Sequence, residues 1–170
     1  MRVPFASIPD DGRLWLFATS RPLDEPERRA LDQAVEAFLD DWAAHGTPLT
    51  AGYTWLDGRV LAVGLDERAA PPSGCSIDAL LRGLKDVERA LGVGIVDHAP
   101  VWYRDDEGAV RCVSRAEFGR AAADGAVSPD TLVYDLTLTR VGDARAGRWA
   151  VPAREAWHGR AFFREQPATG

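Results

Sequence analysis

The chain has 170 residues, of which 46% are hydrophobic and 27% are charged, and its formal net charge is −6. This composition is too apolar for a disordered chain and is sufficient for one well-filled core, so we expect a single domain over residues 1–170. The negative charge and the lack of a basic run argue against nucleic-acid binding. No apolar stretch approaches the roughly 20 residues that span a bilayer, so no membrane association is expected.

Cys75 and Cys112 are the two cysteines of the chain. The N-terminal sequence "MRVPFASIPDDGRLWLF" lacks the charged start and the apolar run of a secretory signal. We therefore expect a cytoplasmic protein with reduced thiols.

The first half of the chain begins with "RLWLFATS", residues 13–20, which predicts a strand. Asp24 and Glu27 then give a helix start signal, and apolar residues follow at helical spacing. These residues are Leu31, Ala34, Val35, Phe38, Leu39 and Trp42. Gly46 and Pro48 are expected to end this first helix, with His45 in its last turn.

Two alternating apolar arms, residues 51–56 and 59–67, are joined at Asp57 and Gly58, which predicts an antiparallel hairpin. A second helix is expected from about Ser76 to Gly92. Its apolar stripe consists of Ile77, Leu80, Leu81, Leu84, Val87 and Leu91. We expect the two helices to pack on the same face of one sheet.

The last third of the chain supplies further strands around Val101–Tyr103 and Ala109–Val113, and Ser114 opens a short helix. The segment "TLVYDLTLTRV", residues 131–141, alternates as a strand does. The full order predicts an α+β fold with a ferredoxin-like (βαββαβ) core and an additional C-terminal hairpin, short helix and strand.

The stretch "PPSGCSIDALLRGL", residues 71–84, places Cys75 at the start of the second helix. Unpaired N–H groups and the helix dipole can stabilise a thiolate there, and the same backbone at Gly74 can hold a small anion. Ser73 and Ser76 would add hydroxyl groups to such an anion site. Equally, either serine can be an ordinary N-cap, with Asp78 complementing the dipole and Cys75 buried as a small apolar residue.

Four residues are candidate partners of Cys75. Asp66 and Glu67 end the third predicted strand, which leads into the loop before the second helix. The alternative for both carboxylates is that they are solvated loop charges. His45 is either a partner or a cation at a helix C-terminus. His158 follows Trp157 near the chain end, where the pair could close over a pocket or lie on the surface.

Diagnostic motifs for metal or cofactor chemistry are missing. The histidines and cysteines never occur with zinc-binding spacing, and the sequence contains no G-x-S-x-G, G-x-G-x-x-G or G-x-x-x-x-G-K-[ST] segment. We therefore expect no metal and no cofactor, and the sequence leaves open whether the protein is an enzyme.

Four segments, "WAAHGTPLTAGY", "DERAAPPSGCSIDALL", "AVSPDTLVY" and "WAVPAREAWHGRAF", occur in that order. On these segments the chain resembles a family of small uncharacterised bacterial proteins with an SGCSID motif, sometimes filed as "ABC transporter ATPase". The resemblance covers roughly residues 42–162 and highlights His45, Gly46, Asp66, Glu67, Ser73, Gly74, Cys75, Ser76, Asp78, Trp157 and His158. A transporter ATPase needs a phosphate loop with a lysine, which this chain lacks, so the filed name implies no activity here.

Two functional hypotheses follow from the sequence. In the first, the protein binds a small anionic ligand or performs thiol chemistry at the helix start, with Cys75, His45, Asp66 and Glu67 as reactive groups. Ser73, Gly74, Ser76, Asp78 and His158 would then contact the ligand. In the second, the protein is a non-enzymatic interaction module that uses its Trp-rich C-terminal segment.

Overall fold

Residues 1–164 are described by the computed structural model, and their contacts divide the chain into two units. The first unit contains residues 1–97 and 137–146, and the second contains residues 98–136 and 147–164 of the described chain. Helices combine with antiparallel sheets, as expected for an α+β protein. The prediction of one domain over residues 1–170 stays a prediction, and its last residues, 165–170, lie outside the described part.

The first unit is built from five strands, three α-helices and a 3₁₀ turn over Phe5–Ser7. Its elements are β1 (Arg13–Ala18), α1 (Glu25–Asp41), β2 (Ala43–Ala44), β3 (Thr47–Pro48), β4 (Thr50–Leu56), β5 (Val60–Asp66) and α2 (Gly74–Leu91). A later short helix, Val141–Arg145, also belongs to it. The predicted hairpin is confirmed, because β4 and β5 pair antiparallel and Asp57 and Gly58 both have positive φ at the turn.

Helices α1 and α2 cover the same face of the sheet β1-β5-β4, as the apolar spacing predicts. Leu31, Val35 and Leu39 of α1 share one core with Leu80 and Leu84 of α2. From the sheet, this core receives alternate residues of each strand, namely Phe17, Ala51, Leu61, Val63 and Leu65.

The opposite face of the sheet is also covered. At Gly52 a Cβ atom would lie 2.4 Å from the carbonyl oxygen of Val3, and at Gly64 it would lie 2.9 Å from the ring of Phe5. Both glycines therefore allow the N-terminal segment to pass close to the strands. Val141, fully buried in the short helix Val141–Arg145, contacts the same face.

The ferredoxin-like order is not confirmed beyond its first three strands. The order β1-β5-β4, with β5 antiparallel to both neighbours, agrees with a split β-α-β arrangement. The fourth strand is missing from this sheet, because residues after α2 bond elsewhere. The N–H groups of Ile95 and Val96 donate to the Glu88 carboxylate, and Leu14 in β1 donates instead to the carbonyl of Thr139.

The end of the first helix also differs from the prediction. Helix α1 ends at Asp41, and Trp42 is extended and buried. Its indole N–H donates to the carbonyl of Ser76 at 2.9 Å, which fixes the chain outside a helical path. His45 and Gly46 then form the tight turn between β2 and β3, where both have positive φ.

The second unit has a four-stranded antiparallel sheet with the order β7-β6-β8-β9. In chain order its elements are β6 (Val101–Arg104), β7 (Val110–Val113), α3 (Arg115–Ala123), β8 (Leu132–Tyr134), β9 (Ala150–Pro152) and a C-terminal helix Trp157–Phe162. We number the short helix of the first unit α4 and the C-terminal helix α5. The strand predicted over residues 131–141 is limited to β8, because the chain then leads into α4.

Phe118 of α3 forms the centre of the second unit's core. It is fully buried and makes edge contacts with the rings of Tyr103 and Phe162. Cys112, expected in a core, is half-buried in β7. Within residues 1–164, no helix has the length and apolar character to cross a membrane.

Truncating Leu84 tests the shared core of the two long helices. Leu84 is 3% exposed, so Leu84→Ala should lower the free energy of unfolding by about 2 to 5 kcal/mol through lost burial and a residual cavity. Urea unfolding measures the change, with the exposed Arg82→Ala on the same helix as control. Equal stabilities of the two variants would contradict the assignment of Leu84 to the core.

Candidate functional site

Cys75 is exposed and is the second residue of α2. Ser73 is the N-cap of this helix and forms a capping box with Ser76: the Ser76 N–H donates to the Ser73 hydroxyl, and the Ser73 N–H donates to the Ser76 hydroxyl. The Ile77 N–H bonds the Ser73 carbonyl. The backbone N–H groups of Gly74 and Cys75 are left for other partners.

Asp66 and Glu67, two of the predicted partners of Cys75, form ion pairs with arginines. Asp66 pairs with Arg68 at 2.7 Å, and this arginine lowers the pKa of the Asp66 carboxyl. The carboxylate oxygens of Glu67 lie 3.9 Å from guanidinium nitrogens of Arg13 and of Arg140. With Thr139, these three residues line a separate cavity of about 260 Å³. Both carboxylates are therefore already paired with arginines.

The remaining predicted site residues do not complete a cluster around the thiol. His45 is exposed on the turn between β2 and β3, and Asp78 is exposed on α2. Within residues 1–164, no hydrogen bond or ion pair joins Cys75 to His45, Asp66 or Glu67. His158 belongs to the second unit, whereas Cys75 belongs to the first.

His158 is buried at 1% exposure and stacks on Trp157 with ring centroids 3.9 Å apart. Burial lowers the pKa of His158 to about 4; the negative charge of Asp135 opposes this shift, and the positive charge of Arg115 adds to it. Its Nδ1 has no hydrogen-bond partner among residues 1–164. His158 is thus a neutral core residue at neutral pH.

A cavity of about 710 Å³ lies at the outer edge of β4 in the first unit. We call it the β4 edge cleft. Its lining residues are Arg2, Val3, Pro4, Arg28, Asp32, Asp40, Tyr53, Thr54 and Trp55. None of these residues was singled out as a candidate from the sequence.

Four polar residues of α1 follow one another at intervals of four, and we call them the α1 polar row: Arg28, Asp32, Glu36 and Asp40. Arg28, Asp32 and Asp40 line the cleft, and Glu36 lies between them on the same helix face. Two side chains of β4 bond to the row. The Trp55 indole N–H donates to Asp32 at 2.7 Å, and the Tyr53 hydroxyl donates to Glu36 at 2.9 Å. The row is therefore fixed to the edge strand.

Two guanidinium groups complete the walls of the cleft. Arg28 lies 3.8 Å from the centre of the Trp55 ring, a cation–π distance, and donates from Nε to Asp32. Arg2 donates to Asp40 at 3.0 Å and lies 3.2 Å from Glu36. One guanidinium is thus held between two carboxylates of the α1 polar row.

The local field at the cleft is negative. Burial and the hydrogen bond to Glu36 raise the pKa of Tyr53, and the charges of Asp32 and Glu36 raise it further, whereas Arg2 opposes them. The hydrogen bond to Asp40 likewise raises the pKa of Arg2. The cleft therefore favours positive over negative charge.

The spacing of the α1 polar row is visible in the sequence, since residues four apart share one face of a helix. The sequence does not show that the α1 polar row lines a cleft, because this depends on which strand edge that helix face contacts. Tyr53 and Trp55 are separated from the row by about twenty residues in the sequence.

No protein-family model, curated protein or solved structure matches this chain.

The buried His158 predicts an acid-sensitive second unit. Its pKa is about 4 when folded and about 6.5 in an unfolded chain, so the unfolded chain takes up a proton first as the pH falls. This contribution is fully present above pH 6.5 and should fall by about 3 kcal/mol as the pH approaches 4.

His158→Phe keeps the ring stacking and removes the titration. The loss of unfolding free energy between pH 6.5 and pH 4.5, measured by urea unfolding, should be smaller in this variant than in the unmodified protein. His45→Gln, at an exposed histidine, is the matched control and should retain the full loss. Identical pH profiles for His158→Phe and the unmodified protein would show that His158 is not the responsible group.

Proposed function

We propose that this protein is a binding protein that takes a cationic ligand in the β4 edge cleft. The observation that carries the proposal is the position of Arg2, whose guanidinium lies between Glu36 and Asp40. The chain's own cation occupies part of the cleft in the manner that an external cation would use.

Charge balance supports a cation. The three carboxylates of the α1 polar row face two guanidinium groups, Arg2 and Arg28, which leaves one negative charge in excess. Each carboxylate can accept about four hydrogen bonds, so acceptor positions remain beyond those that Trp55, Tyr53 and the arginines use. The net charge of −6 adds a long-range attraction for a positive ligand.

Two aromatic rings, those of Trp55 and Tyr53, add fixed apolar surface to the charged groups of the cleft. Trp55 and Tyr53 are half-buried, and their polar atoms are bonded to the α1 polar row, so both rings are held in place. Such pre-organisation lowers the entropy lost when a ligand binds.

N-acetylargininamide, a monocation, tests the proposal, with the neutral N-acetylglutaminamide as the matched probe. Arginine amide binding should shift the NMR signal of the Trp55 indole N–H and should weaken with added salt. Asp40→Asn should weaken it about two- to five-fold, the range for a partly exposed ion pair, whereas Asp41→Asn should not. Equal shifts with both probes, or none with either, would refute a cation site.

A second candidate function retains the hypothesis of thiol chemistry or anion binding at the start of α2. It is favoured by the exposure of Cys75 and by the open space beside Gly74, together with the two backbone N–H groups left by the capping box. The hydroxyls of Ser73 and Ser76 are bonded within the capping box, so an anion there would rely on the backbone. A cytoplasmic location, in which both thiols would stay reduced, is part of this proposal.

The rate of alkylation should differ between the two cysteines. Cys75 is exposed and Cys112 is half-buried, so iodoacetamide should label Cys75 several-fold faster in the native protein at neutral pH, with Cys75→Ser as control. Equal labelling rates would count against thiol chemistry. Anion binding by the same backbone is then decided by whether phosphate or sulfate raises the thermal unfolding midpoint.

The interaction module based on the C-terminal tryptophans stays a prediction. Trp157 is half-buried between His158 and the guanidinium of Arg115, and Trp149 packs on Tyr134. Both tryptophans are half-buried, and within residues 1–164 Met1 is the large hydrophobic residue that is exposed.

A further inference from the structure

We propose that the cationic ligand of the β4 edge cleft is an extended peptide segment with basic side chains, which adds to the outer edge of β4 as a parallel strand. This inference rests on the proposed function, because it names the partner class for the same cleft. It is carried by the backbone of β4 and by the way in which residues 1–3 already pair with it.

The N-terminal residues show the mode of pairing. The Ala51 N–H donates to the carbonyl of Met1 at 3.2 Å, and the Val3 N–H donates to the carbonyl of Ala51 at 2.9 Å. Arg2 is thereby the parallel partner of Ala51. Its side chain lies on the helix side of the sheet, where it reaches Glu36 and Asp40. An isolated parallel bridge through a basic residue already occupies this edge.

The ladder stops after Val3. Pro4 has no N–H, and a 3₁₀ turn over Phe5–Ser7 takes the chain away from the edge. Because backbone direction alternates along a strand, the N–H and C=O groups of Tyr53 and Trp55 point outward, as those of Ala51 do. Within the described residues, these outward groups have no hydrogen-bond partner.

The unpaired part of the edge is the part that faces the cleft. Tyr53, Thr54 and Trp55 line the cavity of about 710 Å³, which leaves room for an added strand and its side chains. An exposed edge with free backbone groups is the surface that peptides use in β-augmentation. Here the edge groups supply backbone bonds, and the α1 polar row supplies side-chain selectivity.

Register determines where basic side chains are needed. A guest residue opposite Tyr53 would share the helix side with Arg2 and would face Glu36, which bonds the Tyr53 hydroxyl. A guest residue opposite Trp55 would face Asp32, which bonds the Trp55 indole. Basic side chains at every second guest residue therefore match the α1 polar row, and the residues between them direct their backbone groups at β4.

The test uses an acetylated and amidated hexapeptide in which arginine and valine alternate, with a glutamate and valine hexapeptide as the charge control. Binding of the arginine peptide should slow hydrogen exchange at the Tyr53 and Trp55 amides, about tenfold at 90% saturation, since only unbound molecules exchange. Glu36→Gln should weaken binding and Asp41→Asn should leave it unchanged.

Backbone methylation separates strand addition from simple cation binding. In the parallel register the valine N–H groups face β4, so N-methylation of the valines should weaken binding about tenfold or more, whereas N-methylation of the arginines should not. Equal affinities of the two methylated peptides would overturn strand addition, although N-acetylargininamide binding would still uphold the cation site. Loss of both kinds of binding would overturn both proposals.

A second copy of the chain is the competing occupant of the edge. In that case the Tyr53 and Trp55 amides would be protected without peptide, the protection would increase with protein concentration, and sedimentation would show a dimer. That result would overturn a peptide partner. A monomer with unprotected amides in the absence of peptide is the expected outcome.

Discussion

Strand β5 is buried on both faces, and this burial determines how the first unit is built. Val60, Leu61, Ala62, Val63 and Leu65 are all fully buried in a strand whose side chains alternate between the two faces. A sheet with such a central strand must be covered twice. The helices α1 and α2 cover one face, and the N-terminal segment with α4 covers the other.

The N-terminal segment that covers the second face of the sheet is held in place by Arg145. Arg145 of α4 donates to the carbonyls of Phe5, Ala6 and Ile8 and pairs with Asp10. One guanidinium thus satisfies several backbone carbonyls of an irregular segment that offers few bonds of its own. The N-terminal segment is held against the sheet, and its first residues are brought to the edge of β4.

Local features were predictable from the sequence. Asp24 and Ser114 cap α1 and α3 where the sequence predicts helix starts, and the turn at Asp57 and Gly58 forms the expected hairpin. Each depends on residues within a few positions of one another, so the pattern contains the whole interaction.

Features that depend on distant partners were not predictable. The end of α1 is determined by the hydrogen bond from the Trp42 indole to the Ser76 carbonyl. A fourth strand does not form, because the Glu88 carboxylate accepts the bond from Ile95 and the Thr139 carbonyl accepts the bond from Leu14. The β4 edge cleft also depends on residues that are distant in the sequence, because packing of the core brings α1 next to β4. Of the residues chosen around Cys75, Asp66 and Glu67 are paired with arginines, and His158 is buried in the second unit.

Gly52 has a consequence for the solubility of the whole chain. The N-terminal segment passes so close to this residue that any side chain there would push it away from β4. The segment covers part of the edge of β4, so a shorter stretch of unpaired strand is open to pairing with another molecule. A chain that lost the glycine would expose a longer flat edge ending in aromatic residues, which is the kind of surface from which ordered aggregates grow.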